Sequence, residues 1–138
     1  MAKHRRLILT GVILLALIAS GAVYAMFFGS YAKIAHVSRD EITEVDVQAD
    51  WGAFKKISSK EQIDQIYNYM NRQTYVRNYL APLKTGGISF SFMNGEKKLC
   101  SGTIMGDDDV EINWEAYSPL PRIDSGKFYD LVDMHPPR

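Results

Sequence analysis

Cysteine and histidine are scarce in this 138-residue sequence, which contains one cysteine and three histidines. A single Cys100 allows neither an intramolecular disulfide nor a zinc site built from several cysteines. His4, His36 and His135 lie far apart in the sequence and form neither an HExxH motif nor a nucleophile–histidine pair. A glycine-rich phosphate loop is also missing. We therefore predict a protein that is not an enzyme, with no catalytic residues, no metal site and no cofactor.

Acidic residues are missing from the first part of the chain, although the whole sequence has 16 basic and 16 acidic residues. Lys3, Arg5 and Arg6 precede every acidic residue. From Tyr31 onward 13 basic and 16 acidic residues follow, and 13 − 16 gives a net charge of −3. Because affinity for nucleic acid comes largely from Lys and Arg at the phosphates, this balance predicts no nucleic-acid partner.

Charged residues are also missing from residues 7–28, "LILTGVILLALIASGAVYAMFF". A helix of this length would be about 33 Å long, against about 30 Å for the hydrocarbon core of a bilayer. The sequence predicts a transmembrane anchor at 7–28, with 1–6 as a basic cytoplasmic flank. The predicted location is the cell membrane, with a single span, a cytoplasmic N-terminus and an extracytoplasmic C-terminal domain.

Small residues near the end of this apolar run leave two further interpretations open. Residues 20–22 and 23–25 suit a signal peptidase, so a cleaved signal and a secreted protein are the alternative, although the run continues to Phe28. Small residues also recur every fourth position and could form a homodimer contact between helices. These residues are Gly21, Ala25 and Gly29.

Beyond the run, residues 29–40 are predicted to be a stalk and 41–138 an α+β domain. Alternating residues predict strands near 41–48, 53–57, 88–104 and 110–114, with a hairpin turn at Asn94-Gly95. Residues 58–73 have the spacing of an amphipathic helix, and 124–134 favour a second one. Residues 74–83 show no dominant period and are interpreted as a loop or irregular strand. The predicted order is ββαβββα, an antiparallel sheet of about five strands covered by one or two helices.

Three residues on the last predicted strands receive specific interpretations. Trp114 alternates with Val110 and is assigned to the core. Gly102 is predicted to mark a bulge. Asp107, Asp108, Asp109 and Glu111 place four carboxylates in five positions, which would suit calcium. The EF-hand spacing is absent, so a solvated turn is favoured over a metal site.

Aromatic and arginine side chains supply the predicted partner-binding site. Tyr, Trp and Arg dominate protein interfaces because they bury a large area at low entropic cost. The site residues are Tyr75, Arg77, Tyr79, Tyr69 and Trp51.

The sequence has no motif specific to a named family. The predicted function is a membrane-anchored, noncatalytic, extracytoplasmic binding module. Its partner is predicted to be another envelope protein or a peptide, bound through the sheet face or through residues 75–83. The alternatives are an accessory subunit acting through its transmembrane helix, or a secreted binding protein after signal cleavage.

Overall fold

The computed structural model describes residues 2–28, 36–80, 84–135 and 137. Strands form where apolar and polar residues alternate, and helices form where apolar residues recur about every 3.6 positions, so that each element has one apolar face. The elements are α1 (Ala2–Phe28), a 3₁₀ turn (Arg39–Glu41), β1 (Glu44–Ala49), β2 (Phe54–Ile57), α2 (Lys60–Asn71), β3 (Thr74–Arg77), β4 (Ile88–Asn94), β5 (Lys97–Ile104), β6 (Val110–Ile112), β7 (Glu115–Leu120) and α3 (Ser125–Val132).

The strands form one antiparallel sheet in the order β2-β1-β4-β5-β6-β7-β3. The predicted hairpin joins β4 to β5, where Asn94 pairs with Lys97 and Gly95 has φ +57. This agrees with the predicted α+β class and with the antiparallel pairing. The edges of the sheet are β2 and β3, so the five strands between them are hydrogen-bonded on both sides.

The predicted strand count of about five is wrong, because the sheet has seven strands in the described part of the chain. The two additional strands are β3 and β7, which pair with each other. Pro119 lies in β7 although proline donates no backbone hydrogen bond. Its partner strand β6 begins at Val110, which lies opposite Tyr117, so β6 does not extend as far as Pro119. The missing N–H therefore costs no hydrogen bond on that side.

The predicted bulge at Gly102 is also wrong. The register between β4 and β5 shifts between Phe92 and Met93, while Gly102 pairs regularly with Phe90. A Cβ atom on Gly102 would lie 2.8 Å from Phe90 Cζ and 2.6 Å from the backbone oxygen of Glu111. Glycine is required here because the Phe90 ring and β6 approach the backbone closely.

The core lies between one face of the sheet and helices α2 and α3. Phe90 lies with its ring centroid 5.4 Å from that of Phe92 and 6.0 Å from that of Phe128 in α3. Helix α2 turns its predicted apolar face to the same layer through Ile63, Ile66 and Met70, all of them buried. The backbone N–H of Gln62 donates to Ser59 Oγ at 3.5 Å and caps this helix. We call this side of the sheet the covered face.

The described end of the predicted stalk packs on the domain. Val37 is buried, and its carbonyl accepts a hydrogen bond of 3.0 Å from Tyr67 Oη in α2. Arg39 forms an ion pair with Asp64 of the same helix. Residues 29–35 of the stalk lie outside the described residues, as does Gly29 of the predicted dimer stripe.

The predicted anchor corresponds to α1. Within the part of the chain that the structure describes, no helix has both the length and the apolarity needed to cross a membrane. This finding contradicts the predicted transmembrane span and the single-pass membrane location.

Candidate functional site

On the face of the sheet opposite α2 and α3, the alternate side chains of β1, β4, β5 and β6 are partly buried or exposed. One row of side chains crosses four strands there, because consecutive Cα partners lie on the same side of a sheet. The row runs from Gln48 in β1 to Ser89, Thr103 and Glu111 in β4, β5 and β6. A second row contains Asp46, Ser91 and Ser101. We call this side the open face.

The small side chains of the two rows leave a depression along the open face. One part has a volume of about 270 Å³ and is lined by Ser91, Ser101, Lys98 and Trp114, among others. A neighbouring part of about 370 Å³ extends to Asp50 and the Gly86–Gly87 turn. The two parts share Gln48, Ser89 and Thr103. Together they form what we call the open-face groove.

The polar groups of the groove include four hydroxyls, those of Ser89, Ser91, Ser101 and Thr103. Ser89 Oγ and Thr103 Oγ1 are 2.9 Å apart and hydrogen-bonded to each other. Lys98 and Glu111 supply one positive and one negative charge to the lining. At the border of the groove, Asp46 Oδ1 is buried without a hydrogen bond and lies 3.8 Å from Lys56 Nζ. The groove therefore offers several donors and acceptors, with the ammonium of Lys98 against the carboxylates of Glu111 and Asp50.

Trp114 forms one wall of the groove, and its predicted position in the core is wrong. Its side chain is 89% exposed. Strand β6 ends at Ile112, and Asn113 and Trp114 form the two-residue turn to β7 with φ values of +49 and +71. The turn breaks the alternation that predicted an inward-pointing side chain. Asn113 also holds β5, because its Oδ1 accepts a 3.1 Å hydrogen bond from the backbone N–H of Ser101.

The predicted partner-binding residues do not form one surface. Tyr75 is 1% exposed and belongs to the core, where its Oη donates a 2.8 Å hydrogen bond to the Met70 carbonyl. Tyr69 packs its ring near Phe128, and its Oη donates to the Asp124 carbonyl at 2.8 Å. Trp51 is half-buried and stacks on Tyr129 of α3 with ring centroids 5.6 Å apart. These three aromatic side chains contribute to packing around the helices.

Arg77 and Tyr79 lie together at the β3 edge. Arg77 forms an ion pair with Glu115, and its Cζ lies 5.0 Å from the ring centroid of Tyr79 and 5.6 Å from that of Tyr117. Tyr117 Oη also donates to Glu115 at 2.7 Å. The hydrogen bonds from Arg77 and then from Tyr117 lower the pKa of Glu115. Burial, followed by the adjacent Glu115 carboxylate, raises the pKa of Tyr117 to about 12. The Arg77 charge is already partnered within the chain.

The acidic run 107–111 is divided among separate partners. Asp107 accepts hydrogen bonds from the backbone N–H and Oγ of Ser125 at 3.1 and 2.7 Å, next to the start of α3. Asp108 pairs with Arg122 at 2.6 Å, and Asp109 pairs with Lys84. Glu111 instead lines the groove. Among the described residues, no group of three or more His, Cys, Asp or Glu side chains is arranged to hold a metal ion.

The groove is lined by hydroxyl, amide and charged side chains, with the indole of Trp114 at one wall. Serine and threonine hydroxyls are weak nucleophiles unless a general base activates them, and no histidine is among the residues that line the groove. Burial raises the pKa of Cys100, on the covered face, to about 11, which disfavours its reactive thiolate. The sequence contained a signal for this surface in Ser89 and Ser91, which alternate with buried phenylalanines. Comparison of the chain with known proteins gives no matching family model, no matching curated protein and no matching solved structure.

Proposed function

We propose that this protein is a noncatalytic binding module and that the open-face groove is its binding surface. The observation that carries the proposal is Trp114, an indole that is 89% exposed at a backbone position with φ +71. It stands beside a groove lined by hydrogen-bonding side chains. Aromatic side chains with polar groups next to them are typical of binding sites.

The position of Trp114 is unfavourable for the isolated protein in two respects. A left-handed backbone conformation costs a residue with a Cβ atom about 1–2 kcal/mol. Two-residue turns in which both φ values are positive strongly prefer Asn-Gly, and here tryptophan occupies the glycine position. Exposure also leaves the apolar indole in water. A residue that is unfavourable in both backbone and solvation is explained by contact with a partner.

The sheet face was one of two binding surfaces predicted from the sequence. It is favoured over residues 75–83 because Tyr75 is buried and Arg77 is paired with Glu115. Replacing Tyr75, Arg77 and Tyr79 together by alanine would not test residues 75–83 cleanly, because it would open a cavity at the buried Tyr75 and combine unfolding with lost binding. Photo-crosslinking also tests the prediction that the partner is a protein or a peptide, because it yields an adduct whose composition can be determined.

Site-specific photo-crosslinking in intact cells tests the proposal. The photoreactive residue p-benzoyl-phenylalanine replaces position 114 in one variant and position 80 in another. Leu80 is a matched control because it is 93% exposed and is not among the groove-lining residues. We expect light-dependent adducts of higher mass from position 114 and none from position 80. Adducts from position 80 alone would contradict the assignment of the groove.

A further inference from the structure

We infer that the open-face groove binds an uncharged saccharide, with one sugar ring stacked on Trp114. This inference rests on the proposed function and specifies its ligand. Four features of the groove support it: the polar side chains, the charge, the position of the strands in the sheet and the exposed indole.

The hydrogen-bonding groups of the groove suit a ligand rich in hydroxyls. Ser89, Ser91, Ser101 and Thr103 supply hydroxyls, which donate and accept, and Gln48 supplies an amide with both capacities. Sugar hydroxyls have the same dual capacity and recur at short intervals along a chain. A ladder of small hydroxyls across β4 and β5 matches that repetition.

The charge of the groove favours a neutral ligand. Lys98 and Glu111 line the first part of the groove, and Asp50 lines the second. The Asp50 carboxylate accepts a hydrogen bond from the Gly87 N–H at 3.3 Å. One ammonium among two carboxylates does not create the positive potential that phosphate, sulfate or uronate groups require. Anionic polymers are therefore disfavoured.

The position of the groove in the sheet argues against an extended peptide. Peptides that add to a sheet use the unpaired backbone groups of an edge strand. The groove lies over β4 and β5, and each of these strands is already hydrogen-bonded on both sides. A peptide there would find no backbone ladder, and Trp114 is the only exposed large apolar side chain among the residues that line the groove.

Trp114 supplies the flat apolar surface that a sugar ring requires. One face of a pyranose presents mainly C–H groups, which pack on an indole while the hydroxyls at the ring edge remain available for hydrogen bonds. The two parts of the groove, about 270 and 370 Å³, are near the lower end of the range for ligand sites. The two parts share Gln48, Ser89 and Thr103, so one saccharide could contact both of them.

The test uses the full chain on an array of neutral, sulfated and uronate-containing glycans. The best neutral oligosaccharide is then titrated by calorimetry. We expect binding to at least one neutral glycan, with a dissociation constant at least tenfold weaker in Trp114→Gly and unchanged in the control Leu80→Ala. The substitution Trp51→Phe leaves Trp114 as the only tryptophan of the two in the chain. Its emission should shift to the blue when the saccharide binds.

Three results would overturn the inference: no neutral glycan binds, only anionic glycans bind, or Trp114→Gly binds as tightly as the parent chain. If position 114 crosslinks to a protein and that adduct carries no glycan, the ligand class is wrong but the groove remains the binding surface. If position 114 forms no adduct and no glycan binds, the proposed function fails as well.

Discussion

The two faces of the central strands differ in composition although they belong to the same residues of the chain. On the covered face β4 places Ile88, Phe90 and Phe92, all less than 2% exposed, against the helices. On the open face the intervening Ser89 and Ser91 line the groove. Consecutive residues of β4 therefore lie in different surroundings, the apolar core on one side and the groove on the other.

The covered face contains the apolar core, and the open face is the one for which we propose binding. Burial of apolar area contributes about 25 cal/mol per Å², so the covered face provides most of the favourable free energy of folding. Hydroxyls on the open face contribute little, since they exchange water for weak local hydrogen bonds. Substitutions on the two faces should therefore separate stability from binding.

Truncation of a covered-face residue is expected to have the largest effect. Phe90→Ala removes a ring that is 1% exposed and contacts both neighbouring phenylalanines, which typically costs about 3–5 kcal/mol. Ser91→Ala, one residue away on the open face, is the matched control and should change the free energy of unfolding by less than about 0.5 kcal/mol. Urea denaturation followed by circular dichroism measures both. Equal losses would show that the two faces do not differ.

A smaller effect is expected where a polar atom lies in the covered face. Tyr75→Phe removes the hydroxyl that donates to the Met70 carbonyl, which keeps a 3.4 Å hydrogen bond from the Gln73 N–H. The expected cost is therefore that of one hydrogen bond, about 0.5–1.5 kcal/mol. Tyr79→Phe is the comparison variant, because this residue is 56% exposed, and it should cost less than Tyr75→Phe. Thermal unfolding distinguishes the two variants. A larger loss of stability in Tyr79→Phe than in Tyr75→Phe would contradict the assignment of Tyr75 to the core.

The smallest effect concerns the ion pair at the β3 edge. Arg77 and Tyr117 lower the pKa of Glu115 in the folded state, whereas the unfolded value is about 4.3. This carboxylate therefore adds stability above the unfolded pKa, and the contribution is lost as the pH falls through the lower folded value. The pair is partly exposed, with 44% of the Glu115 side chain accessible, so solvent screens it.

Thermal midpoints between pH 7 and pH 3 reveal this contribution. The midpoint of Glu115→Gln should fall slightly less over that range than the midpoint of the parent chain. Glu96→Gln is a matched control, because Glu96 is exposed in the β4–β5 turn. An identical pH dependence in the Glu115→Gln and parent chains would show that the ion pair does not contribute to stability.

The covered face could be predicted from the sequence, because burial imposes a period. The spacing of Ile63, Ile66 and Met70 predicted the face of α2, and the alternation around Phe90 with the Asn94-Gly95 turn predicted the central hairpin. These signals are local and depend on solvent exclusion. They require no knowledge of which distant strands become neighbours.

The groove could not be predicted in the same way. Gln48, Ser89, Thr103 and Glu111 come from four strands and meet only through strand pairing. In the sequence, Trp114 continues the alternation of β6, which predicted a core position. The structure instead places Asn113 and Trp114 in a turn where both φ values are positive. Asparagine is common at the first position of such a turn, but tryptophan is not common at the second, so the sequence did not indicate the turn. Tyr75 was misplaced for the opposite reason, since an aromatic residue typical of interfaces is also typical of cores.

The variant Trp114→Gly tests the separation of the two faces most directly, because stability and binding can be measured on one sample. Glycine adopts the positive φ of this turn without steric cost, so we expect the free energy of unfolding to rise by about 1 kcal/mol. Binding of the neutral saccharide, and light-dependent crosslinking from a probe placed at position 101 in the same variant, should be lost. A variant that is less stable than the parent chain, or that binds as well, would contradict the account.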